Sequence, residues 1–185
     1  MSTTEFGLIA IVVVALLSAA TFFNGLVRRK NQINFSEAGI NAYLKKRYDL
    51  IPNLVSTCDR YIDHERGLLT DLVKLRGEAM ASIDAGRRPD DAAFSQKLRG
   101  VFAVAEAHPT LVSSENFIML QRSLNEIEEQ LSASRRAFNA SVVEFNNACM
   151  TFPGNLFAQS LGFKPVEMFQ IDQAEKQPIR IWEKK

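Results

Sequence analysis

The feature that most constrains this fold is an uncharged, proline-free run of 18 residues at positions 6–23, FGLIAIVVVALLSAATFF. An apolar helix of roughly 18–22 residues is long enough to cross a bilayer core. A single segment can satisfy its backbone polar groups there only as a helix. A buried core helix would carry a polar face, and a signal peptide would follow positive charge, which residues 1–5 lack. The run therefore predicts a retained transmembrane anchor, assigned to residues 1–27.

The charges beside this run predict its orientation. Arg28, Arg29 and Lys30 follow it, whereas Glu5 is the only charged residue before it. Cytoplasmic flanks of membrane spans carry an excess of Lys and Arg. We therefore expect the N-terminus outside the membrane and everything after Val27 in the cytoplasm. Cations this close to a bilayer are attracted to anionic lipid, so we expect all three to contact the membrane.

The composition bounds the remaining 158 residues, which are 185 less the 27 of the anchor. That length suffices for one domain with its own core. Lys plus Arg number 22 and Asp plus Glu number 21, and this balance predicts no nucleic-acid partner. Cys58 and Cys149 fit neither a disulfide framework nor a zinc site. They are expected near opposite ends of parallel helices, which predicts that they form no internal disulfide.

Apolar residues at helical spacing predict four helices after the anchor. The first, residues 28–51, continues the anchor and ends before Pro52. The second covers residues 53–85, and the third covers residues 91–107 behind an Asp90 cap. The fourth starts at Ser113 or Ser114, ends near Met150, and carries apolar residues every seven positions: Phe117, Leu124, Leu131, Phe138 and Phe145. The chain is predicted to be all-α, with the transmembrane helix continuing into a long up-down four-helix bundle with coiled-coil packing over residues 28–151.

An aromatic tail, residues 152–185, follows this bundle. Proline and glycine interrupt it, so we expect a short helix at Asn155–Leu161, then turns, and loose order over Ile171–Lys185. Up-down alternation returns the tail to the bilayer, where Phe157 and Phe163 are expected to contact lipid. The tail could instead cover the end of its own bundle or a neighbouring chain.

Two sets of residues are candidates for contacts between helices. Asn34 with Asn146, and Asn41 with Asn139, fall at matching heights if the first and fourth helices are antiparallel neighbours. Paired amides would fix their register, although solvated asparagines are the simpler interpretation. In the anchor, Ala15 and Ala19 form a small-xxx-small pair that permits close helix approach. Together with the long rod formed by the anchor and the first soluble helix, and with the lack of an apparent active site, this pair predicts a homo-oligomer; the alternative is a monomer that waits for a different partner.

The sequence contains no pattern typical of catalysis. His64 and His108, the only histidines, fall on different predicted helices, and His64-Glu65 lacks the second histidine of a zincin helix. Neither a nucleophile elbow nor a phosphate-binding glycine loop occurs. We therefore predict no catalytic residue, no cofactor and no metal site, and we do not expect an enzyme.

The motifs together resemble the LemA family of bacterial membrane proteins. The resemblance is densest in KKRYDLIPNLV at Lys45–Val55, and it continues at Glu115–Phe117, Arg135–Asn139, Phe152–Asn155 and Gly162-Phe163. It implies a single-pass protein of the bacterial inner membrane with a cytoplasmic helical bundle. Three functions remain open: a membrane-anchored scaffold that self-assembles or presents a binding surface to a membrane partner, an adaptor for membrane protein quality control with a protease partner, and a hydrolase whose site has no recognised pattern. A possible membrane protein partner belongs to the first two.

Overall fold

The computed structural model describes residues 3–61 and 66–169, and the regular secondary structure in these ranges is entirely helical. His64 and the segment Ile171–Lys185, both discussed above, lie outside them. The helices are α1 Thr3–Asp49, α2 Ile51–Cys58, α3 Arg66–Asp84, α4 Asp91–Ala105, α5 Pro109–Val112, α6 Glu115–Met150 and α7 Gly154–Phe157.

Helix α1 passes from the apolar run into the following segment without interruption, as the absence of proline predicted. No residue of its most apolar 18-residue window is buried, and by length and composition the helix could span a membrane. Further along α1, Ile33, Ile40 and Leu44 are buried. The helix ends at Asp49, and Pro52 lies in the first turn of α2, where its missing N–H costs no hydrogen bond.

The predicted second helix is wrong as a single element, because a turn at residues 59–61 follows α2. The turn is closed by the N–H of Tyr61, which donates to the carbonyl of Cys58 at 2.9 Å. The side chains of this turn are exposed, so no packing holds them in a helix. The apolar pattern could not reveal the break, because the eleven residues from Cys58 to Leu69 make about three helical turns.

The last two long helices agree closely with their predictions. The Asp90 side chain accepts from the N–H of Ala93 and caps α4, and the Ser114 hydroxyl accepts from the N–H of Phe117 at the start of α6. All five heptad residues of α6 are buried. Two short elements differ: α5 was not predicted, and α7 is a single turn rather than a helix reaching Leu161.

Contacts divide the chain into two compact units, to both of which α1 and α6 contribute. Unit 1 comprises Met1–Glu37 with Arg135–Lys185, and unit 2 comprises Ala38–Ser134. In unit 1, Lys30 lies over the ring of Phe145 and Ser36 contacts Ser141, so α1 and α6 are antiparallel neighbours there, as predicted.

In unit 2, helices that follow one another along the chain also run antiparallel. Lys97 of α4 pairs with Asp71 of α3, and Gly100 lies beside Leu68, so the two numberings run in opposite directions. Phe102 of α4 packs edge-on against Phe117 of α6 at a centroid distance of 5.8 Å. Tyr48, near the end of α1, packs against Phe94 of α4 at 4.7 Å. The core of this unit thus lies between α1, α3, α4 and α6.

Candidate functional site

The segment that follows α7, Phe163–Phe169, lies along α6 in unit 1, and we call it the strap. Its numbering runs opposite to that of α6, because Phe163 contacts Phe145 whereas Phe169 contacts Phe138. The seven residues from Phe138 to Phe145 rise by about 10.5 Å in a helix. Within the strap, Val166 and Phe169 bond Asn146 and Asn139, which are also seven residues apart on α6. Three residues match that rise only if the backbone from Val166 to Phe169 is extended.

Two asparagine side chains of α6 hold the strap by its backbone. The Oδ1 of Asn146 accepts from the N–H of Val166 at 2.9 Å, and its Nδ2 donates to the carbonyl of the same residue at 2.9 Å. Asn139 makes the same pair of bonds with Phe169, at 2.8 Å and 3.1 Å. Both asparagines thus satisfy the donor and the acceptor of one strap residue. We call this pair the amide clamp.

Aromatic rings fix the side chains of the strap. The ring of Phe163 lies 5.8 Å from that of Phe23 in α1 and 6.1 Å from that of Phe145 in α6, measured between centroids. The ring of Phe169 meets Phe138 edge-on at 5.0 Å. These distances are in the range of favourable aromatic pairs. Since Phe23 is the last residue of the apolar run, the strap begins at the level where that run ends.

The connection between α6 and the strap presents a cluster of exposed apolar side chains. Phe152 is 80% exposed and Leu156 is 61% exposed. Phe157 and Leu161 are 52% and 45% exposed. Exposed apolar residues this close together mark an interaction surface. We call these four residues the apolar tip.

The cations predicted to contact lipid have different surroundings. Arg28 and Arg29 are exposed, and Arg29 donates to the carbonyl of Gly25 at 3.3 Å. Lys30 is half-buried, with its Nζ 5.8 Å from the centroid of Phe145. Of the two aromatic residues in the same prediction, Phe157 is exposed and Phe163 is half-buried against Phe23 and Phe145.

Two of the asparagines predicted to pair between helices, Asn139 and Asn146, bond main-chain groups of the strap instead. Asn146 and Asn139 form the amide clamp, so the strap takes the bonds expected from Asn34 and Asn41. Asn34 is exposed, and Asn41 belongs to unit 2 and is half-buried. The sequence carried a signal for the clamp: two asparagines seven residues apart, opposite Phe163, Val166 and Phe169 at steps of three. Ala15 and Ala19 are exposed in this single chain.

A polar contact between α1 and α6 replaces the predicted amide pairs. The hydroxyls of Ser36 and Ser141 lie 3.3 Å apart, and both residues are buried. Each hydroxyl also donates to the carbonyl four residues earlier, Gln32 and Ala137 respectively. Small side chains let the two helices approach closely at this point, which longer amides would prevent.

Unit 2 contains a buried arginine, Arg47, whose residue is 1% exposed. Its Nη1 donates to Glu128 of α6 at 2.6 Å, and its Nη2 is ion-paired with Asp91 of α4. The guanidinium lies 4.9 Å from the ring centroid of Phe94, a cation–π distance. Three helices therefore converge on one side chain. Its Nε is buried without a hydrogen-bond partner among the described residues.

Neighbours of Arg47 complete this network. The Tyr48 hydroxyl donates to Asp91 at 3.2 Å, and the Tyr48 carbonyl accepts from Arg76 Nε at 2.8 Å. Arg47 and Tyr48 belong to the Lys45–Val55 motif that was singled out above for its resemblance. The network explains these two residue types by burial and pairing, without requiring a ligand.

The described residues hold no arrangement suited to catalysis that we can assign. An open cavity of about 320 Å³ in unit 2 is lined by Val55, Asp59, Arg66, Leu69, Thr70 and Val73. Its one hydroxyl, on Thr70, donates to the carbonyl of Arg66 at 2.8 Å rather than to a base. Within residues 3–61 and 66–169, no group of three or more His, Cys, Asp or Glu side chains could hold a metal ion.

Comparison with known proteins gives consistent matches. The sequence model of the LemA family matches residues 36–182. The chain is 25% identical over 156 residues to Protein LemA of Metamycoplasma hominis, covering 83% of this chain and 71% of that protein. It is 33% identical over 103 residues to Magnetosome protein MamQ of Magnetospirillum gryphiswaldense, covering 56% of this chain. The match spans 35% of the length of MamQ.

Proposed function

This chain belongs to the LemA family, and from that premise we propose that it is a non-enzymatic, membrane-anchored helical scaffold that self-assembles and presents a binding surface at the membrane. The observation that carries the proposal is the continuity of α1. One unbroken helix holds both a fully exposed apolar window and the buried residues Ile33, Ile40 and Leu44. Such a helix ties the helical fold directly to its span.

The tail supplies a second contact with the bilayer. Phe163 packs against Phe23 at the end of the apolar run, and this contact holds the apolar tip near the membrane surface. Exposed aromatic and aliphatic residues at that depth bury apolar area in the interface. Arg28 and Arg29 add attraction to anionic headgroups. The scaffold thus rests on lipid at two points besides its span.

Self-assembly uses the anchor and the surface beside it. Ala15 and Ala19 are exposed at a spacing that lets two parallel helices approach closely. Parallel copies in a bilayer meet side by side, and a repeated lateral contact closes into a ring if its rotation allows.

The anchor crosses a bacterial inner membrane, and the part of the chain after Val27 lies on its cytoplasmic side. A reporter active only in the periplasm, fused after Lys185, therefore stays silent.

Native mass spectrometry after extraction in mild detergent tests the scaffold. We expect masses at whole multiples of the 20.7 kDa chain. The variant Ala19→Leu should shift this distribution towards single chains by roughly tenfold, or about 1.4 kcal/mol. The matched variant Ala20→Leu, turned by about 100° on the same helix, should leave it unchanged. Single chains alone contradict self-assembly, and a stoichiometric protease in the complex favours the adaptor instead.

A further inference from the structure

The spacing of the two asparagines in the amide clamp matches the spacing of the strap residues that they bind, so the clamp can bind the backbone of an extended chain. Asn139 and Asn146 are seven residues apart, which is about 10.5 Å along a helix. Val166 and Phe169, which they bond, are three residues apart, which is about 10 Å in an extended chain. These two distances are nearly equal. Each asparagine can therefore bind the backbone N–H and carbonyl of one residue, and the two residues bound are three positions apart.

The backbone bonds are indifferent to sequence, and the aromatic contacts are not. Any residue other than proline can offer the N–H and carbonyl that each asparagine binds. The rings of Phe23 and Phe145 select an aromatic residue at the first position, and Phe138 selects one at the seventh. Lys164, Pro165, Glu167 and Met168 between them are exposed. The site therefore recognises a segment with aromatic residues at its first and seventh positions, whose fourth and seventh residues bond the amide clamp.

We infer that, in the assembled protein, this site takes the strap of a second copy, so that neighbouring chains exchange residues 163–169. The inference rests on the proposed self-assembly and supplies its contact outside the bilayer. A second copy carries the identical segment, so each amide and ring contact made within one chain forms equally well between two. Exchange of an identical element is a low-cost route to association.

The connection to the strap is long enough for this exchange. Twelve residues, 151–162, separate the end of α6 from Phe163. Gly154 and Ala158 in this stretch are buried, so only residues 159–162 are free to rearrange. Extended, the five steps from Ala158 to Phe163 reach about 17 Å, which exceeds the 8–10 Å between packed helices. Gly162 has φ of 83°, a conformation open to glycine, and it directly precedes the strap. A change at this residue redirects the strap; it breaks the bond from the Phe163 N–H to the Ala158 carbonyl and leaves the contacts with the amide clamp and the rings available.

The anchor supplies the geometry for the exchange. Copies that cross the same bilayer are parallel and at one height, so the strap of each is level with the clamp of the next. Confinement to a membrane also raises the effective concentration of one strap around a neighbouring clamp. Exchange in this arrangement links each chain to the next through a contact that is not symmetric, as a ring requires.

Photo-crosslinking in native membranes tests the exchange. Phe169 is replaced by the photoreactive analogue benzoylphenylalanine in a full-length copy with one tag, co-expressed with an unsubstituted copy that carries another. Irradiation should give a product of twice the chain mass that carries both tags, with the crosslink near Phe138 and Asn139. Asn139→Leu with Asn146→Leu in the acceptor copy should lower this product at least fivefold, whereas Asn147→Leu, an exposed neighbour, should not.

Two results would overturn the inference, and they are distinguishable from failure of the scaffold. If native masses show a homo-oligomer but every crosslink lies within one chain, the strap stays on its own helix and assembly uses other contacts. Crosslinks to an unrelated protein would assign the clamp to a different partner. If native masses show only single chains, self-assembly itself fails, and exchange fails with it.

Discussion

Gly154 packs against the backbone of Ala148 so closely that a Cβ on the glycine would overlap the carbonyl oxygen of Ala148. Gly154 is buried and starts α7, directly after the chain has left the end of α6. The chain therefore turns back against α6 at a glycine, which has no side chain to obstruct the contact. This close approach turns the apolar tip and the strap back towards α6 within unit 1.

Replacing this glycine should destabilise the turn. We expect Gly154→Ala to lower the free energy of unfolding by about 1–3 kcal/mol, the usual cost of overpacking against an immobile backbone. Thermal unfolding in detergent measures the change. Gly39→Ala is the matched control, because nothing lies near its Cβ and it is within a helix. That variant should gain about 0.5–1 kcal/mol, and an equal loss in both would contradict the close approach.

The amide clamp predicts a local loss of protection. Asn146→Ala leaves the backbone N–H and carbonyl of Val166 without their partners, at a cost of about 1–3 kcal/mol where these groups are shielded from water. Hydrogen exchange should then quicken in residues 163–169 and stay unchanged in α4. Asn147→Ala, the exposed neighbour, should have no such effect. Equal exchange in the two variants would mean that the clamp does not hold the strap.

Arg47 should be among the most sensitive polar residues in unit 2. Arg47→Met keeps the volume but leaves Asp91, which is 15% exposed, without its cation. Breaking a buried pair from one side costs about 3–5 kcal/mol. Lys46→Met, at an exposed neighbouring position, should change unfolding by about 0.5 kcal/mol or less. Adding Asp91→Asn to Arg47→Met should restore part of the loss, and strictly additive losses would show that the two do not interact.

The apolar tip predicts contact with lipid. The native tryptophan, Trp182, is first replaced by phenylalanine, and Phe157→Trp then reports the tip alone. Brominated lipids should quench this tryptophan. Phe35→Trp, at 74% exposure on α1 against 52% for Phe157, lies twelve residues and about 18 Å beyond Phe23 and should be quenched far less. Equal quenching at the two positions would place the tip away from the bilayer.

The two cysteines should react slowly and in a defined order. Burial raises the pKa of the Cys58 thiol from 9.0 to about 11, and it also raises the pKa of Cys149. The reactive thiolate is therefore scarce at pH 8. Cys149, at 6% exposure against 0% for Cys58, should be alkylated first, as peptide mass mapping can show. Equal rates in the folded protein, like those expected in denaturant, would contradict the burial.

The same pKa shift gives a pH dependence of stability. The folded state favours the neutral thiol of Cys58, so this contribution is fully present below about pH 9, the unfolded pKa. It is lost as pH rises from there through about 11, the folded pKa. Between these values, Cys58→Ala should lose less stability with rising pH than the parent chain does. Parallel curves would show that Cys58 does not titrate on unfolding.

Sequence reasoning recovered the elements that periodic burial defines. The heptad residues of α6, the end of α1 before Pro52, and the Asp90 cap follow from local chemistry, and the structure confirms them. The turn after α2 escaped because the apolar pattern stays in phase across it. The clamp was missed because Asn139 and Asn146 were expected to bond asparagines of another helix, whereas their partners are main-chain groups of the tail. The matching spacings of the two asparagines and of Phe163, Val166 and Phe169 were an indirect signal, because a hydrogen bond to a main-chain group does not depend on the side chain of the residue that offers it.

Because α1 is unbroken, a rotation of the anchor about its axis is transmitted to the residues that follow it in the same helix. Each residue of a helix is turned by about 100° from the one before, so the azimuth of Ala19 fixes the azimuth of Ser36. If the anchor turns about its axis in the bilayer, Ile33 and Ser36 turn by the same angle, because no joint lies between them. One residue inserted after Val27 would rotate them by about 100° relative to the anchor, whereas seven inserted residues would leave them within about 20°.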